Sequence, residues 1–199
     1  MILKTFKCAA FLGALLGWGS VPTAHAAGHL VQLEPSQDNS IYEPVIDLMS
    51  NGSGIFLFAG RTGLDGGYKA RRALLKYDLA AALPANAIIT YAELSLYQSK
   101  AAPNSPPAEI GLHRLSASWG EGPSNATGAE GQGAPAEAGD ATWTHRFHPD
   151  TEWTTPGGDF EAAPTVITTV GQTLGYYRWA CTQALLLELN DWLQAPETN

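Results

Sequence analysis

The sequence predicts an all-β fold, a sandwich or a barrel, and three observations predict it. Short β-type runs lie between turn formers, and the chain carries 21 Gly and 13 Pro. Two of these runs alternate with a period of two rather than 3.6. Only the last stretch has the spacing of a helix.

Taken in order, the first 26 residues read as a secretion leader. Lys4 and Lys7 give a basic start, and "CAAFLGALLGWG" is an apolar run too short to span a bilayer as a mature helix. Ala24 and Ala26 supply the A-x-A pattern for a cut near Ala26, so that the mature chain begins at Ala27. "HLVQLEP" and "NSIYEP" each end at a proline, as edge strands tolerate. "GSGIFLFAGRTG" is an apolar run closed by glycines. In "RALLKYDL", Ala73, Leu75 and Tyr77 alternate with Leu74, Lys76 and Asp78, which fits a half-buried strand. "LPAN" supplies the turn through Pro84 and Asn86, and "ITYAELSLY" is the next strand. Thr90, Ala92, Leu94 and Leu96 face one way there, and Tyr91, Glu93, Ser95 and Tyr97 the other. These two runs are expected to form an antiparallel pair.

After a Pro-rich loop, "IGLHRL" reads as another strand. Residues 120–140 hold no large apolar side chain, so burial cannot offset their ordering entropy. They are expected to form a long mobile loop. "PTVITTV" is a Thr/Val-rich strand. In "QALLLELNDWLQAPETN", Leu185, Leu189 and Trp192 approximate helical spacing and Pro196 ends the run, giving a short C-terminal helix.

Removing 26 of 199 residues leaves 173, enough for one domain with its own core. The leader takes two lysines and no acid with it, so a net charge of −8 becomes −10. That balance argues against nucleic acid and anionic membrane surfaces, which need clustered Lys and Arg. No second long apolar stretch calls for membrane insertion. Cys181 is the one cysteine left, so no intramolecular disulfide forms, and "RWACTQ" reads as a small buried hydrophobe.

The run "RRALLKYDLAAALPANAIITYAELSLY" resembles the core signature of DNRLRE-domain proteins, R-A-L-L-x-F-D-L followed by I-P-x-x-A-x-I-x-x-A-x-L-x-L. Tyr77 stands where that signature has Phe, and Leu83 precedes the proline. "IGLHRLSASWGEG", "GDATWTHRF" and "WTTPGGDF" are similar to a subgroup of these secreted bacterial proteins, and the resemblance covers most of residues 30–199. It implies an antiparallel β-sandwich of jelly-roll type and binding of an alginate-type polysaccharide. It also implies strands beyond residue 199, hence a sandwich truncated at its C-terminus with an open apolar edge. Asp78 and Arg72 are expected to orient strand ends rather than to do chemistry.

Aromatic residues are the candidate ligand contacts, because the C–H faces of sugars suit exposed rings. They are Trp119, Trp143, Trp153 and Trp179, with Tyr176 and Tyr177 in "GYYRWA". For Trp119, Trp143 and Trp153, structural packing beside the 120–140 loop is the favoured reading over a sugar contact. The Tyr91/Tyr97 face is a third option, open only where that sheet meets solvent. Glu121, Asp140 and Asp159 flank glycine turns and are the calcium candidates, although no loop has regular ligand spacing. His145 and His148 in "HRFHPD" lack a third ligand, and no HExxH or CxxC accompanies them. No nucleophile elbow is present. The sequons at Asn51 and Asn125 read as accidental.

The functional expectation is a secreted or periplasmic non-catalytic module that binds extracellular polysaccharide. The alternative is a structural or adhesive surface protein without a sugar site. A lyase or hydrolase ranks third, since paired carboxylates meet only in space.

Overall fold

The computed structural model describes the backbone of residues 4–12 and residues 28–46, 48–84 and 86–195. It is predominantly antiparallel β, as the sequence predicts. β1 (Lys4–Leu12), β2 (Gly28–Leu33), β7 (Ala87–Gln98) and β13 (Gly175–Trp179) form a four-stranded sheet in the order β13-β7-β1-β2. β3 (Gln37–Tyr42), β5 (Gly60–Arg61) and β6 (Ala70–Lys76) form a second sheet with β6 central. Among the described residues, the other strands pair in twos: β4 (Met49–Ser50) with β9 (Ala134–Pro135), β8 (Ala108–Leu112) with β12 (Val166–Val170), and β10 (His145–Phe147) with β11 (Thr151–Glu152).

Among the described residues, the buried apolar side chains gather in two cores. The larger gathers Ile89, Ala92 and Leu94 of β7, Trp179 of β13, and Leu185, Leu189 and Leu193 of helix α2 (Gln183–Gln194). The smaller packs Ile41 and Leu74 against Trp119, Ala141 and Trp153. β6 belongs to both, because its side chains alternate. Leu74 enters the smaller core, while Leu75 and, just past the strand, Tyr77 pack against the larger. Deep burial raises the Tyr77 phenol above its ordinary range.

The expected β6–β7 pair is not formed, and the reason is local. Asp78 accepts a hydrogen bond from the Ala81 N–H (2.9 Å) and caps a single helical turn, α1 (Leu79–Ala82), before Pro84. That turn carries the chain from one sheet to the other. The expected alternation along β7 is also broken once. Ala9 pairs with Tyr91 and Ala10 with Ile89, so Thr90 is a bulge residue. Ile89 and Ala92 are both buried, while Thr90 and Tyr91 are both exposed. Thr90 therefore leaves the inner face that strict alternation assigned to it.

α2 forms where helical spacing suggested it. Thr182 caps it by accepting from the Leu185 N–H (3.1 Å), and Leu185, Leu189 and Leu193 fill the larger core. Asn190 accepts from the Ile89 N–H (2.9 Å) and donates to the Ile89 carbonyl (3.0 Å), which closes a stretch of β7 that β13 does not reach. Pro196 lies outside the described residues. Of the expected leader, residues 4–12 form β1 between β7 and β2, and the expected cleavage point lies outside the described residues.

Residues 120–140 are not the free loop that their composition suggests. Asn51 is fully buried; its side chain accepts from the Ala126 N–H (2.9 Å) and donates to Glu130 Oε2 (2.9 Å). The same carboxylate oxygen accepts from the Phe56 N–H (3.0 Å). Asn39, also fully buried, donates to Ser50 Oγ (2.9 Å) and to the Glu121 carbonyl (2.7 Å), and its Oδ1 accepts from the Asn51 N–H (3.0 Å). Ser124 accepts from Ser53 N–H through its carbonyl and from Gly52 N–H through its hydroxyl. A Cβ at Gly52 would overlap the Glu121 carbonyl, so the close approach requires glycine. A buried polar network thus orders a segment that has no apolar anchors. Asn51, being enclosed and bonded, is no glycan acceptor in the folded chain.

Two predictions follow from this packing. Leu94→Ala should cost about 2–5 kcal/mol in chemical denaturation, whereas Thr90→Ala should change stability by under about 0.5 kcal/mol. Equal losses would remove the bulge from β7. Asn51→Ala strands several buried groups at about 1–3 kcal/mol each. It should therefore lower stability and bring the first cuts of limited proteolysis into residues 120–140; an unchanged cleavage pattern would show that the network does not hold this segment.

Candidate functional site

The structure separates the six aromatic candidates. Trp119, Trp153 and Trp179 are only 6%, 4% and 5% exposed, so their faces are closed to a sugar ring. Trp153 donates its ring N–H to the Thr142 carbonyl (2.9 Å), and Trp179 donates to the Ile110 carbonyl (2.8 Å). Both are core residues with a satisfied polar edge. Trp143 is half-buried under the Arg72 guanidinium, 4.8 Å from its ring centroid. Arg72 also lies over Phe160 and donates to the Gly157 carbonyl, and burial lowers its pKa from the ordinary value. It fastens the "TPGG" turn to β6.

Tyr177 turns inward with Trp179 and lines an apolar cleft of about 630 Å³ beside Phe56, Phe58 and Leu96. Its hydroxyl donates to the Thr173 carbonyl (2.9 Å) and accepts from the Gly171 N–H (3.2 Å), which occupies its polar tip in holding a turn. Tyr176, the sixth candidate, points the other way and is 54% exposed.

Tyr176 pairs across the strands with Tyr97, and the two rings meet edge-to-face with centroids 5.1 Å apart. On the same outer face of β7, Arg178 and Glu93 approach to 3.6 Å, and Tyr91 donates its hydroxyl to Glu93 Oε2 (3.1 Å). Tyr91 is 40% exposed, two residues from Glu93 on the face that alternation gives it. Partial desolvation, then the Glu93 carboxylate, raises its phenol above the ordinary value. The strip from Tyr91 to Tyr97 runs about 20 Å along the strand. It offers exposed ring surface at both ends and a charged pair between them. This is the Tyr91/Tyr97 face that the sequence offered as an option; Arg178 and Glu93 carried no signal of their own, since only the strand register brings them together.

The calcium candidates are not assembled into a shell. Glu121 Oε1 accepts from the Asp38 N–H (3.0 Å). Asp140, fully buried, accepts from the Ser124 N–H (3.2 Å) and the Glu137 N–H (2.6 Å). Asp159 accepts from the Thr154 and Thr155 N–H groups (2.9 Å each). Glu121 thus holds the start of β3, Asp140 the 120–140 segment, and Asp159 the "TTPGG" turn. Among the described residues, no group of three or more His, Cys, Asp or Glu could hold a metal ion. His145 and His148 stack at right angles, 5.1 Å between ring centroids, in and beside the β10–β11 hairpin. Among the described residues, no helix is long and apolar enough to cross a membrane.

Comparison with protein-family models, with curated proteins and with solved structures finds no match to this chain.

The buried indoles and the loop carboxylates make distinct predictions. Trp153→Ala should cost about 3–5 kcal/mol, read as a large drop in melting temperature; a change within error would place the ring outside the core. Desolvation works against the Asp159 charge, but its two backbone donors outweigh that and hold its carboxyl below the ordinary aspartate value. The stability it contributes is present above the unfolded aspartate range, near pH 4, and is lost as pH falls through the lower folded value. Asp159→Asn should therefore be less stable than the parent at neutral pH, with the difference shrinking on acidification. A difference that grows in acid would contradict the assignment.

Proposed function

We propose that the protein is a secreted, non-catalytic module that binds extracellular polysaccharide through the tyrosine strip on β7 and β13. The observation that carries this reading is the pairing of Tyr176 with Tyr97 on the outer sheet face that also bears Tyr91, Glu93 and Arg178. Exposed rings at intervals along a strand suit the repeating C–H faces of a sugar polymer, and a charged pair between them suits its hydroxyls. The leader-like first 26 residues support an extracellular or periplasmic setting. The DNRLRE resemblance supports a jelly-roll arrangement of the sheets and an alginate-type ligand. The acid excess of the chain works against a polyanion, so Arg178 is the residue on this strip that would favour uronate over neutral sugar.

Affinity electrophoresis through gels containing alginate or a neutral polysaccharide tests the reading. The protein should be retarded in one of them. Tyr176→Ala should abolish the retardation with a melting temperature near that of the parent, because more than half of the side chain is already in water. Retardation that survives Tyr176→Ala would move the site elsewhere. Free migration in every gel would favour the structural or adhesive alternative, and new reducing or unsaturated sugar ends would indicate a lyase or hydrolase.

A further inference from the structure

β1 raises a conflict between sequence and sheet. Its residues carry the marks of a leader that is cut away, yet its backbone sits in the middle of a sheet. It pairs antiparallel with β7 from Lys4 opposite Leu96 to Leu12 opposite Ala87, and with β2 from Phe6 opposite Leu33 to Phe11 opposite Gly28. Removing it would leave β7 unpaired on that side along residues 87–96. It would also leave β2 with no neighbour in the sheet. Such rows of free backbone groups are costly and invite another strand.

We propose that the place of β1 is a strand-acceptor slot, filled in the processed protein by an extended apolar segment of another protein. This inference rests on the secretion reading and is independent of the polysaccharide site. The register states what chemistry the slot takes. Position 6 lies between Leu33 and Leu94, and position 8 between Val31 and Ala92. Positions 10 and 12 lie opposite Ile89 and Ala87. Leu94, Ala92, Ile89 and Ala87 are all buried in the larger core, and Val31 and Leu33 pack against it. A nine-residue strand with apolar residues at alternate positions therefore completes both ladders, and KTFKCAAFL has Phe, Cys, Ala and Leu at those places.

Two other occupants fit less well. β2 runs antiparallel to β1, and β1 antiparallel to β7, so β2 closing directly on β7 would make a parallel pair in an otherwise antiparallel sheet. Processing frees two edges in a second copy: β2 has six residues, too few for the nine-residue slot, and β7 stays held to β13 in its own sheet.

The test uses protein secreted from the full-length gene, with its N-terminus read by mass spectrometry. A fluorescent synthetic KTFKCAAFL peptide is then titrated by anisotropy. A chain that starts at Ala27, binds the peptide saturably and melts at higher temperature with it supports the slot. The Cys8→Pro peptide, which lacks a ladder donor, should bind at least about tenfold more weakly. A secreted chain that retains residues 1–26 overturns the proposal, as does a processed chain that ignores the peptide or fills the slot by dimerising. Should the processed chain precipitate, the nonapeptide is appended to its C-terminus through a Gly/Ser linker. Solubility with KTFKCAAFL but not with the proline version supports the slot, and precipitation of both overturns it. Gel retardation, scored separately on the same protein, keeps the fate of the polysaccharide reading distinct.

Discussion

The arrangement depends on a buried hydrogen-bond network in which Asn39, Ser50, Asn51 and Glu130 answer one another. Residues 120–140 have almost nothing to offer an apolar core, and residues 51–59 form little regular structure. What holds these two irregular segments together is directional: an asparagine amide bonds on both ends, and a carboxylate accepts from two or three donors. A buried network of this kind is stabilising only when each member has its partner, so it specifies one conformation rather than a family of collapsed ones. Tyr42 joins it by donating to the Glu130 carbonyl (3.2 Å), and burial raises that phenol above its ordinary value.

From that network the rest of the molecule can be built outward. β3 contributes Asn39 to the polar network and Ile41 to the smaller core, and β6 runs beside β3 along its whole length. β6 in turn passes Leu75 and Tyr77 to the larger core, where β7, β13 and α2 meet. The outer face of β7 and β13 is then presented on a support that is packed from behind. Its tyrosines are placed by strand register, with a sheet beneath them rather than a loop.

Much of the fold was legible because its signals are local. The period of two in "AELSLY", the helical spacing of Leu185 and Leu189, and the proline endings of β2 and β3 each need only a short window of sequence. Three features were not legible, two of them because they need contacts from across the chain. The bulge at Thr90 exists only in the pairing of β7 with β1. The separation of β6 from β7 depends on Asp78 capping a helical turn inside "DLAAALP", a segment that reads equally well as a plain turn. The ordering of residues 120–140 depends on Asn51, Asn39 and Glu121 meeting across more than seventy residues, and composition reports apolar anchors but not polar ones. The aromatic site was half legible for the same reason. Tyrosine and tryptophan are equally suited to a core and to an exposed platform, and only the folded chain shows that Trp119, Trp153 and Trp179 are buried while Tyr176 is exposed.

Amide hydrogen exchange tests the central claim most directly. If the polar network orders the irregular segments, the amides of Asn51, Phe56 and Ala126 exchange only through global unfolding, with protection equal to that of Leu74 in β6. Exchange of these three amides at the rate of an open loop, with Leu74 still protected, would contradict it.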